Sequence, residues 1–331
     1  MKKIINRPDQ VVEEMLDGLV AANPETLKLV REKKIVLRAD APVKGKVAVI
    51  TGSGSGHEPD QVCYVGRGMI DAACAGEVFA APTADAVYEA TKMVDSGAGV
   101  LYLIKNYTGD RANFSMAAEL AQAEGIRVET VIANDDVAVK DSKFTAGRRG
   151  VAGAILDYKI TGAKAEQGAS LDAVKEIAER VNANCRSMGF ALTSCTTPAK
   201  GSPTFDLGAD EFELGVGLHG EPGRRRTKVM LADEIVDILM DSIVPDLPFK
   251  SGDEVAVMVN GLGGTPTMEF YVVFRRVAAF LKQHDIRIAK AYVGEFCTSL
   301  DMAGCSVSLL KLDEEMKSLL EFPVDIPLRI F

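Results

Sequence analysis

Three histidines occur in the 331-residue chain, and two stand in nearly mirrored settings, Gly56-His57-Glu58-Pro59 and His219-Gly220-Glu221-Pro222. Each follows a strand-like segment and lies in a turn rich in Gly and Pro. Imidazole titrates near neutrality, so it can relay protons, and its nitrogen can attack a carbonyl carbon. A single histidine is more often structural than catalytic. Two of three at strand ends point to a site, because α/β proteins build their sites there. His284, in Lys282-Gln283-His284-Asp285, reads as a solvent-exposed helix end. Metal binding by His57 and His219 has weak support: no His-Glu-x-x-His occurs, and two histidines need further ligands.

Other segments offer polar groups with two readings each. Gly52, Gly54 and Gly56 follow a Gly-x-Gly-x-Gly spacing, not the dinucleotide fingerprint, and Pro59 comes too soon for a fingerprint helix. A nicotinamide cofactor is therefore disfavoured. The amides of Gly54, Ser55 and Gly56 can still bond a small polar ligand, or the glycines can form a tight turn with no ligand. Lys105-Asn106-Tyr107-Thr108-Gly109-Asp110 places a Lys, an Asn and an Asp in one turn, suited to binding hydroxyls and taking a proton, or simply to turn geometry. Asn134-Asp135-Asp136 reads as loop solvation or a helix cap. Gly147-Arg148-Arg149-Gly150 reads as an anion site or a helix start with cationic flanks. No Gly-x-x-x-x-Gly-Lys-[Ser/Thr] loop and no protein-kinase signature occurs, so nothing obvious holds ATP.

Helical and strand patterns alternate along the chain. Helices are expected near 9–22, 84–95, 112–123, 148–165, 171–187, 229–243 and 266–283. Strands are expected near 47–50, 99–104, 127–132, 190–193, 212–217, 253–260, 286–296 and 305–312. The fold class is α/β, with two α/β domains, each a mostly buried sheet flanked by helices. The boundary falls where Thr196-Thr197-Pro198 and Lys200-Gly201-Ser202-Pro203 interrupt the pattern, giving domains 1–190 and 191–331.

Net charge is −9, and the one basic run is Arg224-Arg225-Arg226, so neither nucleic acid nor an anionic membrane is an expected partner. No apolar stretch approaches the roughly 20 residues that span a bilayer. The N-terminus has no apolar segment of a signal peptide. Six cysteines without a Cys-x-x-Cys pair read as buried reduced thiols in a cytoplasmic protein.

Six segments, in order, carry a resemblance. Gly52-Ser53-Gly54-Ser55-Gly56-His57-Glu58-Pro59, Ala73-Cys74-Ala75-Gly76-Glu77-Val78-Phe79 and Ile104–Asp110 come first. Asp135-Asp136-Val137-Ala138, Gly215–Gly223 and Cys297-Thr298-Ser299-Leu300-Asp301-Met302 complete the set. Together they resemble the substrate-binding subunit of dihydroxyacetone kinases of the phosphotransferase-dependent type, over essentially the whole chain. The resemblance implies that His219 adds to the ketone carbonyl as a hemiaminal and that His57 bonds the substrate and assists proton movement. Asp110 serves the hydroxyl that is phosphorylated. Lys105 and the backbone of Gly54, Ser55 and Gly56 bind substrate oxygens.

The same resemblance implies a homodimer and a ligand that is dihydroxyacetone or a similar short ketose. It implies further that the chain itself binds no nucleotide or metal cofactor. ADP or ATP with Mg²⁺ sits on a helical partner subunit, recharged in one arrangement by a phosphotransferase-system donor. Two departures stand out. Ser53 replaces a glycine, which is expected to matter little because the backbone amide remains. Arg224 replaces an apolar residue and is expected to affect partner docking or ketose choice, with erythrulose as the alternative substrate. A ketose-sensing coactivator without phosphoryl transfer is the other alternative.

Overall fold

The computed structural model describes residues 2–140 and 146–328. A first helix, α1 (Val11–Ala22), leads into the strands β1 (Leu27–Val30), β2 (Ile35–Arg38), β3 (Ala48–Ser55) and β4 (Ala72–Val78). Then follow α2 (Ala84–Val94), β5 (Val100–Lys105), α3 (Thr108–Ala123) and β6 (Val128–Ala133). These strands form one six-stranded sheet in the order β1-β2-β4-β3-β5-β6, parallel from β4 to β6 and antiparallel at the β1 edge.

Two helices, α4 (Ala154–Glu166) and α5 (Leu171–Asn184), connect to β7 (Cys185–Ala191), the first strand of the second sheet in chain order. The chain continues through β8 (Glu211–Leu214), β9 (Arg225–Lys228), α6 (Ala232–Asp246), β10 (Glu254–Gly261) and α7 (Thr267–Gln283). It finishes with β11 (Arg287–Gly294), β12 (Gly304–Lys311) and α8 (Glu314–Leu320). The second sheet runs β11-β10-β12-β7-β8-β9, with only β10 and β11 parallel. The protein is an α/β structure with two mixed sheets, each flanked by helices.

Period-2 alternation sorts the strand residues onto two faces. Ala48, Ile50, Val100, Tyr102 and Ile104 pack with Val87, Ala90 and Phe114 from α2 and α3. Val49, Leu101 and Leu103 point the other way, onto Ile155, Ile160, Val174 and Ile177 of α4 and α5. Those two helices also meet Ala256, Met258 and Leu310 of the second sheet, so one core joins both sheets. The far face of the second sheet, Val255, Val257, Val259 and Val307, is covered by α6 and α7. Burial on all sides explains why α4 lacks a polar face. Its Lys159 ammonium donates to the carbonyls of Leu319 and Phe322, both at 2.8 Å, at the end of α8, and burial lowers its pKa to about 8.

Several sequence expectations shift. The glycine segment is not a loop: β3 runs on through Ser55, pairing Gly52, Ser53 and Gly54 with Cys74, Ala75 and Gly76 of β4. β7 starts as soon as α5 ends, earlier than the expected 190–193. The expected strand 212–217 stops at Leu214 because Gly215 takes φ +78°. Part of the basic run, Arg225 and Arg226, opens the exposed edge strand β9, where charge discourages strand-to-strand association. His284 does end α7, exposed, with its ring stacked on Phe280.

Gly162 lets α4 pass directly against the backbone at Met69: a Cβ there would lie 2.0 Å from the Met69 carbonyl oxygen. Gly162→Ala is expected to destabilise the fold by about 2–3 kcal/mol, the cost of overpacking against rigid backbone. A lowered urea midpoint with an unchanged slope would show it.

Candidate active site

The first sheet supplies one wall through the ends of β3 and β5. Gly54 is required there by close approach, since a Cβ would fall 2.6 Å from the Ala80 amide nitrogen. Beyond β3 the chain turns at Gly56 (φ +99°) and buries His57, which is 1% exposed. Its Nδ1 lies 2.8 Å from the Thr298 carbonyl oxygen, so Nδ1 carries the proton and Nε2 the lone pair. That Nε2 has no hydrogen-bond partner among the described residues. Burial, with the nearby His219 and Lys105 charges, lowers the His57 pKa well below the usual value and keeps the ring neutral.

The second sheet supplies His219, in the turn after β8. Glu221 reaches back to it twice: Oε1 accepts from Nδ1 at 2.8 Å and Oε2 from the His219 amide at 2.9 Å. Burial alone would raise the Glu221 pKa, but the hydrogen bonds it accepts from the His219 ring and backbone hold it at about 2. Glu221 is thus a fixed carboxylate, and the proton it fixes on Nδ1 leaves the Nε2 lone pair of His219 available. The two imidazoles lie 4.9 Å apart, centroid to centroid, with Phe79 stacked on His57 and the Tyr107 ring edge-on to His219.

A strap from Phe296 to Leu300 holds these loops together. Besides the Thr298–His57 contact, Thr298 Oγ1 donates to Glu58 O at 2.8 Å and the Leu300 amide to Gly56 O at 2.9 Å. Ser299 Oγ donates to Leu218 O, on the His219 loop. Asn260, at the end of β10, anchors the strap by accepting from the amides of Phe296 and Cys297 (2.9 and 2.8 Å) and donating to Cys297 O (2.8 Å).

Between the walls lies a cavity of about 240 Å³ lined by Ser53, Gly54, Phe79, Tyr107, Asp110 and His219, with Ala81, Thr108 and Gly109 completing it. Asp110 sits in the first turn of α3, so the expected polar turn is in fact the start of that helix. Burial raises its carboxyl pKa to about 6, with Ser53, Lys105 and His219 pulling the other way. Ser53 Oγ donates to Asp110 Oδ2 at 2.8 Å. An imidazole lone pair and a carboxylate titrating near neutrality therefore face one small polar-ended space, an arrangement fit for carbonyl capture and proton abstraction. Among the described residues, no group of three or more His, Cys, Asp or Glu is placed to hold a metal ion.

The Dak1 domain family matches residues 17–328. The chain belongs to the Dak1 family. It is 49% identical to the PTS-dependent dihydroxyacetone kinase 1, dihydroxyacetone-binding subunit DhaK, of Listeria innocua, covering 98% of this chain and 99% of that one. The PEP-dependent counterpart from Escherichia coli is 45% identical, over 99% and 98%. Among solved structures, the dihydroxyacetone kinase of C. freundii superposes with a TM-score of 0.91 at 36% identity, over 98% of this chain and 60% of that chain. The co-activator DhaQ superposes with a TM-score of 0.89 at 34% identity, over 94% and 96%.

In this Dak1 chain the expected site residues divide into three groups. His219, Asp110 and Gly54 line the cavity, and His57 lies against His219. Ser55 and Gly56 border a separate cleft of about 60 Å³ beside α1, and Ser55 Oγ donates to Gly76 O at 2.7 Å. Lys105 is buried in an ion pair with Asp60 and is not among the lining residues. Arg224 turns away as well: its guanidinium bonds Val137 O, Ala138 O and Ser242 Oγ, at 3.2, 3.4 and 2.9 Å. It offers no charge to the cavity.

Asp135 and Asp136 neither solvate a loop nor remain exposed. Asp135 accepts from the Val151 and Gly153 amides at 2.9 Å, and Asp136 pairs with Arg149. The arginine pair binds internal carboxylates, with Arg148 on Asp246. The spacing carries no signal for the role of Glu221 at His219 or for the Ser53 hydroxyl at Asp110.

Ser53→Ala removes the hydrogen bond that favours the Asp110 carboxylate. The Asp110 pKa should rise further, and the acid limb of a pH–rate profile should move up by about one pH unit. An unmoved limb would show that the Ser53 hydroxyl does not act on Asp110.

Proposed function

We propose that this chain is the dihydroxyacetone-binding subunit of a dihydroxyacetone kinase. His219 captures the ketose as a hemiaminal, and a partner subunit supplies the phosphoryl group. The observation that carries the reading is His219 itself, fixed through Nδ1 to Glu221 with Nε2 free, on a cavity shared with Asp110.

In the capture step, Nε2 bonds to the carbonyl carbon and the π pair moves onto oxygen. That oxygen takes up a proton as the imidazolium releases its own, so no net proton is gained or lost. His57, neutral and with a free Nε2 lone pair, is suited to relaying it. The bond compensates for the few contacts a three-carbon ketose offers and selects carbonyl compounds over glycerol. It also fixes the terminal hydroxyl beside Asp110. The carboxylate is placed to take the hydroxyl proton; a partner's nucleoside triphosphate would supply the terminal phosphoryl group, its bond to the departing diphosphate breaking as the new O–P bond forms, so positioning supplies most of the catalysis. Lys105, paired with Asp60, favours the charged form of Asp110.

Nucleotide and Mg²⁺ belong on a helical partner in this reading, and the PTS- and PEP-dependent names of the relatives support a phosphotransferase-system donor. Six free cysteines, five of them buried, support a reducing, cytoplasmic setting. Self-association as a homodimer is supported by the exposed apolar residues Val229, Leu231, Met268, Tyr271 and Val272 around a groove at the start of α6 and α7. A Leu231→Lys, Tyr271→Lys double variant should sediment as a monomer; an unchanged mass would remove that face from the interface.

The coactivator reading shares the reactive histidine, and the likeness to DhaQ keeps it in play. Asp110 on the cavity favours the kinase, because a sensor has no use for a base. The erythrulose alternative loses its motive with Arg224 directed elsewhere.

Carbon NMR of carbonyl-labelled dihydroxyacetone tests capture: a tetrahedral carbon signal is expected with the wild type and none with His219→Ala. A tetrahedral signal from His219→Ala would end the covalent reading. Asp110→Asn should keep the signal while turnover with the helical partner falls about 10²–10⁴-fold. Unimpaired turnover would remove Asp110 as the base, and no turnover by the wild type would favour the coactivator.

A further inference from the structure

Behind Glu221 lies a cation that capture and transfer, as described, leave without a role. Arg149 is fully buried. Its Nε and Nη2 both reach Asp136 Oδ2, at 2.7 and 2.6 Å, and Nη2 also donates to Gly215 O at 2.7 Å. Its Nη1 has no hydrogen-bond partner among the described residues. A buried guanidinium arm without a partner is costly, which makes its surroundings informative.

Gly217 locates that arm. A Cβ built on Gly217 would lie 2.1 Å from Glu221 Oε2 and 2.7 Å from Arg149 Nη1, so the carboxylate and the free arm flank one point and act on each other through charge across it, without direct contact. Gly217 does not have a positive φ. What bars a side chain there is this pair of charged atoms, not the backbone.

We infer that Arg149 is a positioning residue for the nucleophile: anchored by Asp136, it holds Glu221 as a fixed anion, so that His219 keeps its proton on Nδ1 and presents the Nε2 lone pair. The inference deepens the capture mechanism proposed above and rests on it for its functional meaning, though not for its test. The series runs Asp136, Arg149, Glu221, His219, with alternating charge up to the imidazole. In a buried setting such charges interact far more strongly than at a surface. Without the cation, Glu221 would face its own desolvation with His219 as its one partner side chain. Its carboxyl would then compete for the proton that sets the tautomer.

The test needs no substrate. Three histidines make ring nitrogen spectra of ¹⁵N-histidine-labelled protein simple to assign. Wild type should show the Nδ1–H, Nε2-lone-pair pattern for the neutral His219 ring. In Arg149→Met this should give way to a mixture of tautomers, with capture of carbonyl-labelled dihydroxyacetone weakened about tenfold or more. Arg149→Lys, which keeps a charge for Asp136 but has no second arm, should fall between. Gly217→Ala, which wedges a methyl group between the two charges and alters neither, should resemble Arg149→Met and serves if that variant fails to fold. An unchanged His219 pattern in a folded Arg149→Met or Gly217→Ala protein overturns the inference. If the pattern changes but the wild type captures no ketose, the positioning role stands and the proposed function falls.

Discussion

Two imidazoles from different sheets must be held in contact, and one strap, Phe296 to Leu300, meets that constraint. Its amides and carbonyls bond the His57 turn on one side and the Leu218–His219 turn on the other. Backbone groups are well suited to this work, since they have few conformations to lose and buried ones must be paired in any case. Asn260 turns the strap into a fixed part of the second sheet by satisfying three of its polar groups with one side chain. The cavity is what remains between two turns so fixed.

The two histidines are anchored by one logic realised with different acceptors. Each donates from Nδ1 and leaves Nε2 uncommitted, but His57 faces a neutral carbonyl and His219 a carboxylate. That difference separates their chemistry. A buried ring beside a carbonyl stays neutral and suits relay work. A ring backed by a carboxylate tolerates positive charge. The two similar Gly-His-Glu-Pro-like segments thus hold their histidines differently: Glu58 accepts from the Gly56 amide (3.0 Å), while Glu221 accepts from its histidine.

Much of this was legible in the sequence because rare residues carried it. With three histidines and glycine-rich turns, His57 and His219 announced themselves, and the α/β alternation fixed the order of most helices and strands. What escaped depended on partners distant along the chain. The glycine segment lacks side chains to show a strand pattern, yet its backbone pairs with β4, which itself went unread as a strand. Asp136 and Arg149 looked like loop polarity because nothing local says that both are buried. Ser53 was judged by its backbone, whereas its hydroxyl finds Asp110 fifty-seven residues on. The resemblance places Lys105 among the groups that bind substrate oxygens; no spacing rule reveals its ion pair with Asp60.

The layer formed by α4 and α5 bears on how the site exchanges its contents. These helices share one apolar core with both sheets, and α4 is buried on nearly every side. Swinging one sheet away from the other would pull that core apart, at a cost comparable to unfolding. The frame is therefore a vice without a hinge, with its jaws already set. Traffic has to pass through the open mouth of the cavity.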